Sequence, residues 1–294
     1  MTCSRRSIMA TLAMLGVTGP LGFGAPSRPR PRFPVALFEK PLEHLPMKTA
    51  IRILSDIGFD GIEATVRRGG RIAPERVKEE LPPYVETLGK AGLKVLVMAT
   101  DIRGALDPHA ETTLRTAAQL GIRTYRLGGE TYDPNRPLLT QLKELELRWA
   151  DLGALNRELG LTALYQNHAG SRHVGAAIWD LHRVLERLAP DEFGVAFDIR
   201  HAVVEGTSSW STDFQLLQPW IRAVYVKDFV FEGARARNVP MGDGVIGEEF
   251  YRRLKAGPLK VPVSLHCPHL QERNERSVER IVRRDYTVLK RWIG

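Results

Sequence analysis

Four glycines constrain this chain more than any other feature. Gly58, Gly92, Gly121 and Gly160 each close a stretch with helical hydrophobic period, and each opens onto a short apolar run. A glycine takes the left-handed backbone that ends a helix, and the chain can then turn back at once into a strand. Repetition of that turn is the grammar of αβ units. Strands are expected at 33–38, 59–64, 93–100, 122–127, 161–166, 195–198, 221–227 and 261–266. Helices are expected at 42–57, 74–91, 108–120, 137–159, 174–188, near 211–217, 248–255 and 275–292. Eight such units predict an α/β fold, a (β/α)8 TIM barrel, as a single domain over residues 33–294. An open doubly wound sheet is the alternative. No Gly-x-Gly-x-x-Gly follows the first strand, which argues against a dinucleotide-binding version of it.

Residues 1–32 read differently. Arg5 and Arg6 precede an apolar stretch from Ile8 to about Val17, and Gly22 to Ala25 offers small residues for cleavage. This resembles a twin-arginine export signal, followed by a Pro/Arg linker at 26–32, so a periplasmic or secreted location is expected. The apolar stretch is short for a bilayer span, and no stable membrane span is expected once the signal is removed. The formal charge of +8 invites a nucleic-acid reading. Five arginines but no acid fall within residues 1–32, and no basic run with interleaved aromatics follows. Nucleic acid is therefore not an expected partner. Cys3 would leave with the signal, and Cys267 alone cannot form an internal disulfide.

The expected strand ends are polar. They carry Glu63 with Arg67, Thr100-Asp101, Arg126, Gln166-Asn167-His168, Asp198 with His201, Lys227-Asp228, and His266. In a (β/α)8 barrel chemistry sits where strands end and βα loops begin. A core needs none of these groups, and burying charges without partners is costly. Their joint placement predicts a polar concave site for a polyhydroxylated ligand or a divalent cation. Oxygen and imidazole donors suit Mn²⁺, Mg²⁺ or Zn²⁺. Plain structural roles compete at each position: Asp198 as a loop cap, Glu63 and Arg67 as a rim ion pair, Lys227 paired with Asp228 or Asp198, Arg126 in a rim salt bridge, and Trp210 as an apolar cover over the rim.

Four segments, Gly61 to Glu63, Tyr165 to Gly170, Phe197 to Ala202 and Val226 to Phe229, resemble the xylose isomerase-like TIM barrels, the sugar phosphate isomerase/epimerase proteins. The likeness extends over residues 33–292 and is greatest to a secreted branch with Gln-Asn-His on strand five and Lys-Asp on strand seven. It implies the barrel fold and a sugar or keto-sugar as the small-molecule partner. Members of this family isomerise or epimerise sugars, dehydrate inosose, act as endonucleases or cleave oxidised glycosides. Its well-known epimerases hold a divalent metal with an acid on strand five, an Asp on strand six, a His on strand seven and a Glu on strand eight. The matching strand ends here are Gln166, Asp198, Tyr225 and His266, so only the Asp is kept. His168 and His201 are candidates to supply the missing nitrogens. The metal set expected from the resemblance is Gln166, Asp198, His201 and His266, holding Mn²⁺, Mg²⁺ or Zn²⁺.

The roles expected of the remaining residues follow. Glu63 or His168 moves a proton, and Lys227 or a metal holds an enediolate oxygen. Arg67, Arg126, Asn167, Trp210 and Asp228 are candidate substrate contacts. The expected function is an exported sugar isomerase/epimerase-like enzyme that abstracts a proton next to a carbonyl. Alternatives are β-elimination on 3-keto glycosides and a non-catalytic sugar-binding barrel. An endonuclease of this fold would need three metals and many more His and acid ligands than the chain offers. A homo-oligomer stays open.

Overall fold

In the computed structural model, residues 33–294 are described; the export segment and linker expected at 1–32 lie outside them. The chain alternates strand and helix: β1 (Val35–Phe38), α1 (Met47–Ile57), β2 (Gly61–Thr65), α2 (Val77–Lys90), β3 (Lys94–Ala99), α3 (Ala110–Gln119), β4 (Thr124–Arg126), α4 (Leu138–Leu159), β5 (Thr162–Gln166), α5 (Trp179–Leu185) and β6 (Phe193–Asp198). It continues with α6 (Ile199–Gly206), α7 (Trp210–Leu217), β7 (Ile221–Val226), a hairpin of β8 (Asp228–Glu232) and β9 (Arg235–Val239), α8 (Glu248–Ala256), β10 (Val263–Leu265) and α9 (Glu275–Ile293). Eight strands close a parallel barrel in the order β1-β10-β7-β6-β5-β4-β3-β2, sealed by β10 against β1 with Val263 opposite Val35.

The sequence explains these elements locally. In α1, Ala50, Ile53, Leu54 and Ile57 recur at helical spacing and bury one face. Gly58 then ends the helix at φ +99°, which a residue with a Cβ rarely adopts, and Gly160 ends α4 in the same way at φ +63°. The strands of a barrel are covered on both faces, so β6 is buried along its whole length. Outside it, Trp149 of α4 packs on Tyr165 and Phe193 at ring separations of 5.2 and 5.6 Å. Val97, Leu164, Ala196, Ala223 and Tyr225 form a separate buried cluster within the strand ring. Side chains two apart on a strand share a face. Gln166 therefore rises above Leu164, Asp198 above Ala196 and Lys227 above Tyr225, and the apolar filling passes into a polar mouth.

Two elements differ from expectation. A helix begins directly after β6, where a loop was expected up to about residue 211. Asp198 is its N-cap, its carboxylate accepting the N–H of His201 at 3.3 Å. Two helical turns are too short to show a period, and Gly206 interrupts the pattern. The antiparallel β8–β9 hairpin replaces a plain loop after β7. No helix among the described residues is long and apolar enough to cross a membrane.

Candidate active site

Two fully buried carboxylates organise the barrel mouth, and the strands hold them apart. Glu63 on β2 accepts hydrogen bonds from the Tyr225 hydroxyl at 2.8 Å and the Ser264 hydroxyl at 2.6 Å, and meets Nε2 of His266 at 2.9 Å. The Arg126 guanidinium lies 3.2 Å away. Burial pushes the Glu63 pKa up, but His266, Arg126 and Ser264 outweigh it and hold it at about 2. Burial lowers the His266 pKa from its ordinary value, while Glu63 opposes that shift. Glu63, expected to move a proton, stands enclosed in this arrangement. All of its surroundings are donors, and it is absent from the cleft lining. It is a fixed charge that orients Arg126, Tyr225 and His266.

The second carboxylate is Asp198, at the end of β6. Lys227 Nζ and Gln166 Nε2 each donate to its Oδ2 at 2.7 Å. Asn167 closes the contact from the backbone side, exchanging hydrogen bonds of 2.7 and 3.1 Å with the Asp198 N–H and C=O. Those bonds make Asn167, expected as a substrate contact, a brace for Asp198. Burial would raise the Asp198 pKa, but its neighbours, with Lys227 the cation in direct contact, hold it well below the usual carboxylate range. Burial lowers the Lys227 pKa while Asp198 opposes that shift. His201 lies between two cations, Lys227 Nζ at 3.0 Å from Nε2 and Arg200 at 3.2 Å from Nδ1. Burial first, and these cations with it, drive its pKa down to about 2, so the ring is neutral.

Above these residues opens a cleft of about 580 Å³, lined in part by Phe38, Arg126, Gln166, His168, Lys227 and His266. His168 is exposed in it, stacked on His201 at 4.0 Å and tilted against His173 at 4.7 Å. Its pKa is lowered, chiefly by burial of part of the ring. Nδ1 faces the Ala169 carbonyl at 3.2 Å, which places the ring proton there and leaves the Nε2 lone pair free. Phe38 stacks on His266 at 4.5 Å, with the guanidinium groups of Arg67 and Arg126 5.5 and 5.4 Å from its ring centre. Arg67 lies at the rim, 3.9 Å from Glu43.

Two expected substrate contacts lie elsewhere. The Asp228 carboxylate accepts four backbone N–H groups, from Phe229, Gly242, Gly244 and Ile246, and so pins the 242–246 loop. Trp210 packs edge-on against Phe250 at 5.8 Å, under Arg253, and does not line the cleft. Phe38 and Ser264 were not singled out in the sequence, and Tyr225 entered only as the strand-seven counterpart of a metal ligand. Period-two spacing was the available signal, since Ser264 precedes His266, and Tyr225 precedes Lys227, by two residues on their strands.

Of the four residues expected to bind a metal, Gln166, Asp198 and His201 meet around Lys227 while His266 stands apart, and the atoms they present are already engaged. His266 sits on Glu63, and the Gln166 oxygen is taken by Arg126 at 2.6 Å while its nitrogen faces Asp198. Lys227 Nζ stands between Asp198 and His201. No group of three or more His, Cys, Asp or Glu among the described residues could hold a metal ion. The donor set at this mouth therefore does not fit the divalent cation that the resemblance implied.

A closed (β/α)8 barrel with a polar cleft at the strand ends defines an enzyme-type scaffold. A family profile described as xylose isomerase-like TIM barrel matches residues 51–291, and the chain belongs to that family. No curated protein matches it in sequence. Among solved structures it is similar to the 3-keto-D-glucoside 4-epimerase of E. coli (14% identity, TM-score 0.68, 88% of this chain and 99% of that one). It is also similar to a probable 3-DHS dehydratase involved in petrobactin synthesis in Bacillus anthracis (15%, 0.66, 87% and 98%). A third is a xylose isomerase-like TIM barrel protein from Mycobacterium smegmatis in complex with magnesium (13%, 0.62, 89% and 98%). At these identities the likeness shows the fold.

Proposed function

We propose that the protein is a sugar isomerase/epimerase-like enzyme that removes a proton next to the carbonyl of a sugar or keto-sugar. One observation carries this reading: an exposed neutral imidazole, His168, shares a cleft with the amine of Lys227, which is anchored on a buried carboxylate. Enolisation needs a base on the C–H and a positive group on the carbonyl oxygen. His168 Nε2 takes the proton. The Lys227 ammonium has three N–H bonds; Asp198 and His201 face two of them, which leaves one for a ligand oxygen. Phe38, flanked by Arg67 and Arg126, offers an apolar face and N–H donors to a polyhydroxylated ring. Return of the proton from the His168 imidazolium to the neighbouring carbon, with the hydroxyl proton passing between the two oxygens, gives the isomer; delivery of a solvent proton to the other face of the enediolate gives the epimer. The similar E. coli 3-keto-D-glucoside 4-epimerase and probable B. anthracis 3-DHS dehydratase support carbonyl-adjacent chemistry in this fold. The twin-arginine-like start supports a periplasmic or secreted setting, and with it an unphosphorylated substrate.

The test is proton exchange in D₂O with a panel of keto-sugars and 3-keto glycosides, followed by NMR. Deuterium should enter beside the carbonyl, and His168→Gln should slow this by roughly 10²–10⁴-fold with circular dichroism unchanged. Release of an aglycone would move the reading to β-elimination, and sugar binding without exchange would make the barrel a binding protein. Undiminished exchange in His168→Gln would remove His168 as the base.

A further inference from the structure

We infer that the ammonium of Lys227 is the resident cation of this site, occupying the position between Asp198 and His201 that a divalent metal would otherwise take, and that the chain works without such a metal. The inference rests on the proposed reaction only for what the ammonium does there; its occupancy of the site stands on geometry alone.

Asp198 Oδ2 and His201 Nε2 are 3.7 Å apart. Two ligands of a tetrahedral zinc, each about 2.1 Å from the ion, lie roughly 3.4 Å from one another. The pair is thus spaced almost as a metal would space it. Lys227 Nζ fills the gap, 2.7 Å from the oxygen and 3.0 Å from the nitrogen, distances that suit N–H hydrogen bonds and are too long for metal bonds. The surroundings are built for a cation with one charge. Gln166 is neutral, and turns its N–H rather than its oxygen to Asp198. Its oxygen is held by Arg126, so the amide cannot reverse without facing N–H groups toward a guanidinium. Arg200 stands on the far side of His201, adding positive charge where a divalent ion would need negative charge. Glu63 faces donors of its own and brings nothing to this position. A lysine is also a covalently tethered charge, present in every molecule whatever the supply of metal ions.

The experiment measures metal directly, and no substrate is required. The wild-type protein is purified without chelator from metal-supplemented medium, its metal content is determined, and thermal unfolding is followed with EDTA, Mn²⁺ or Zn²⁺. We expect substoichiometric metal and unchanged midpoints; a metal at a hundred times its Kd would raise the midpoint by roughly 5–10 °C in a chain of this size. Lys227→Ala removes the resident charge, and the folded variant should lose stability that Asp198→Ala/Lys227→Ala partly regains, because the second change removes the stranded carboxylate. About one equivalent of divalent metal in the wild type, lost in Asp198→Ala, would overturn the inference. So would a folded Lys227→Ala as stable as the wild type, since no charge would then be missing beside Asp198. Metal that survives Asp198→Ala lies elsewhere and leaves the assignment intact. If Lys227→Ala does not fold, the wild-type measurement decides. Absence of turnover on every sugar would sink the proposed function while leaving these readouts unaffected.

Discussion

Replacing Lys227 by Met tests the site most sharply, because it separates stability from chemistry. Asp198 is fully buried, and Lys227 is the cation in direct contact with its carboxylate. Removing one partner of a buried pair strands the other and costs about 3–5 kcal/mol. Gln166 Nε2 and the His201 N–H still reach Asp198, which puts the cost at the lower end, about 3 kcal/mol. For a domain of this size that lowers the unfolding midpoint by roughly 6–12 °C. Turnover should fall by about 10²–10³-fold in kcat, as on loss of one donor to a developing oxyanion. Adding Asp198→Asn removes the stranded charge. The double variant should recover most of the stability but none of the activity, with a coupling energy of about 2–3 kcal/mol. Urea titration followed by circular dichroism gives the first quantity, and steady-state kinetics on the substrate that turns over gives the second. A single variant within about 0.5 kcal/mol of wild type, or a double variant no more stable than the single, would refute the buried-pair argument.

Stability should also depend on pH through the histidines. His168, His201 and His266 are held below the ordinary value of 6.5, chiefly by burial, so the unfolded chain binds protons that the folded one refuses. Stability is then lost as pH falls below about 6.5, by up to ~1.4 kcal/mol per pH unit for each of the buried His201 and His266, and by less for His168, whose charge solvent screens. Glu63 and Asp198, whose folded pKa values are depressed, add their own loss only as pH falls below about 4.5. Denaturant midpoints that stay flat between about pH 7 and pH 4.5 would contradict this. Asp228→Ala strands four backbone N–H groups and should cost about 3 kcal/mol. Gly244→Ala should do similar harm, because its Cβ would lie 2.2 Å from Asp228 Oδ1 and 2.3 Å from a backbone oxygen. Hydrogen exchange across 242–246 checks both variants; unchanged protection would show that Asp228 does not hold the loop. Changing Arg5 and Arg6 together to Lys should leave the protein in the cytoplasm, as fractionation would show, and unaltered export would remove the twin-arginine proposal.

The barrel was legible in the sequence because its causes are local. A glycine that ends a helix, an apolar run bounded by polar ends, and the period of an amphipathic helix each act within a few residues, and Gly58, Gly160 and the buried run of β6 meet those demands in the fold. The polar mouth was legible too, since strand ends such as Gln166, Asp198 and Lys227 carry groups that no core needs. Which of these groups would meet was not legible. Glu63 and Tyr225 are 162 residues apart and share a hydrogen bond because closure of the ring brings β2 and β7 across the interior from one another. Lys227 and Asp228 are adjacent in sequence, yet successive residues of an extended chain point opposite ways, so one reaches Asp198 and the other a surface loop. The same holds for the metal: the sequence supplied residues of ligand type, and only the closed barrel decided that His266 would face Glu63 and that an ammonium would stand between Asp198 and His201. Residue type and strand position are set by the chain one segment at a time. Pairing of charges depends on angles and distances across the barrel mouth, and those exist only after the last strand has closed on the first.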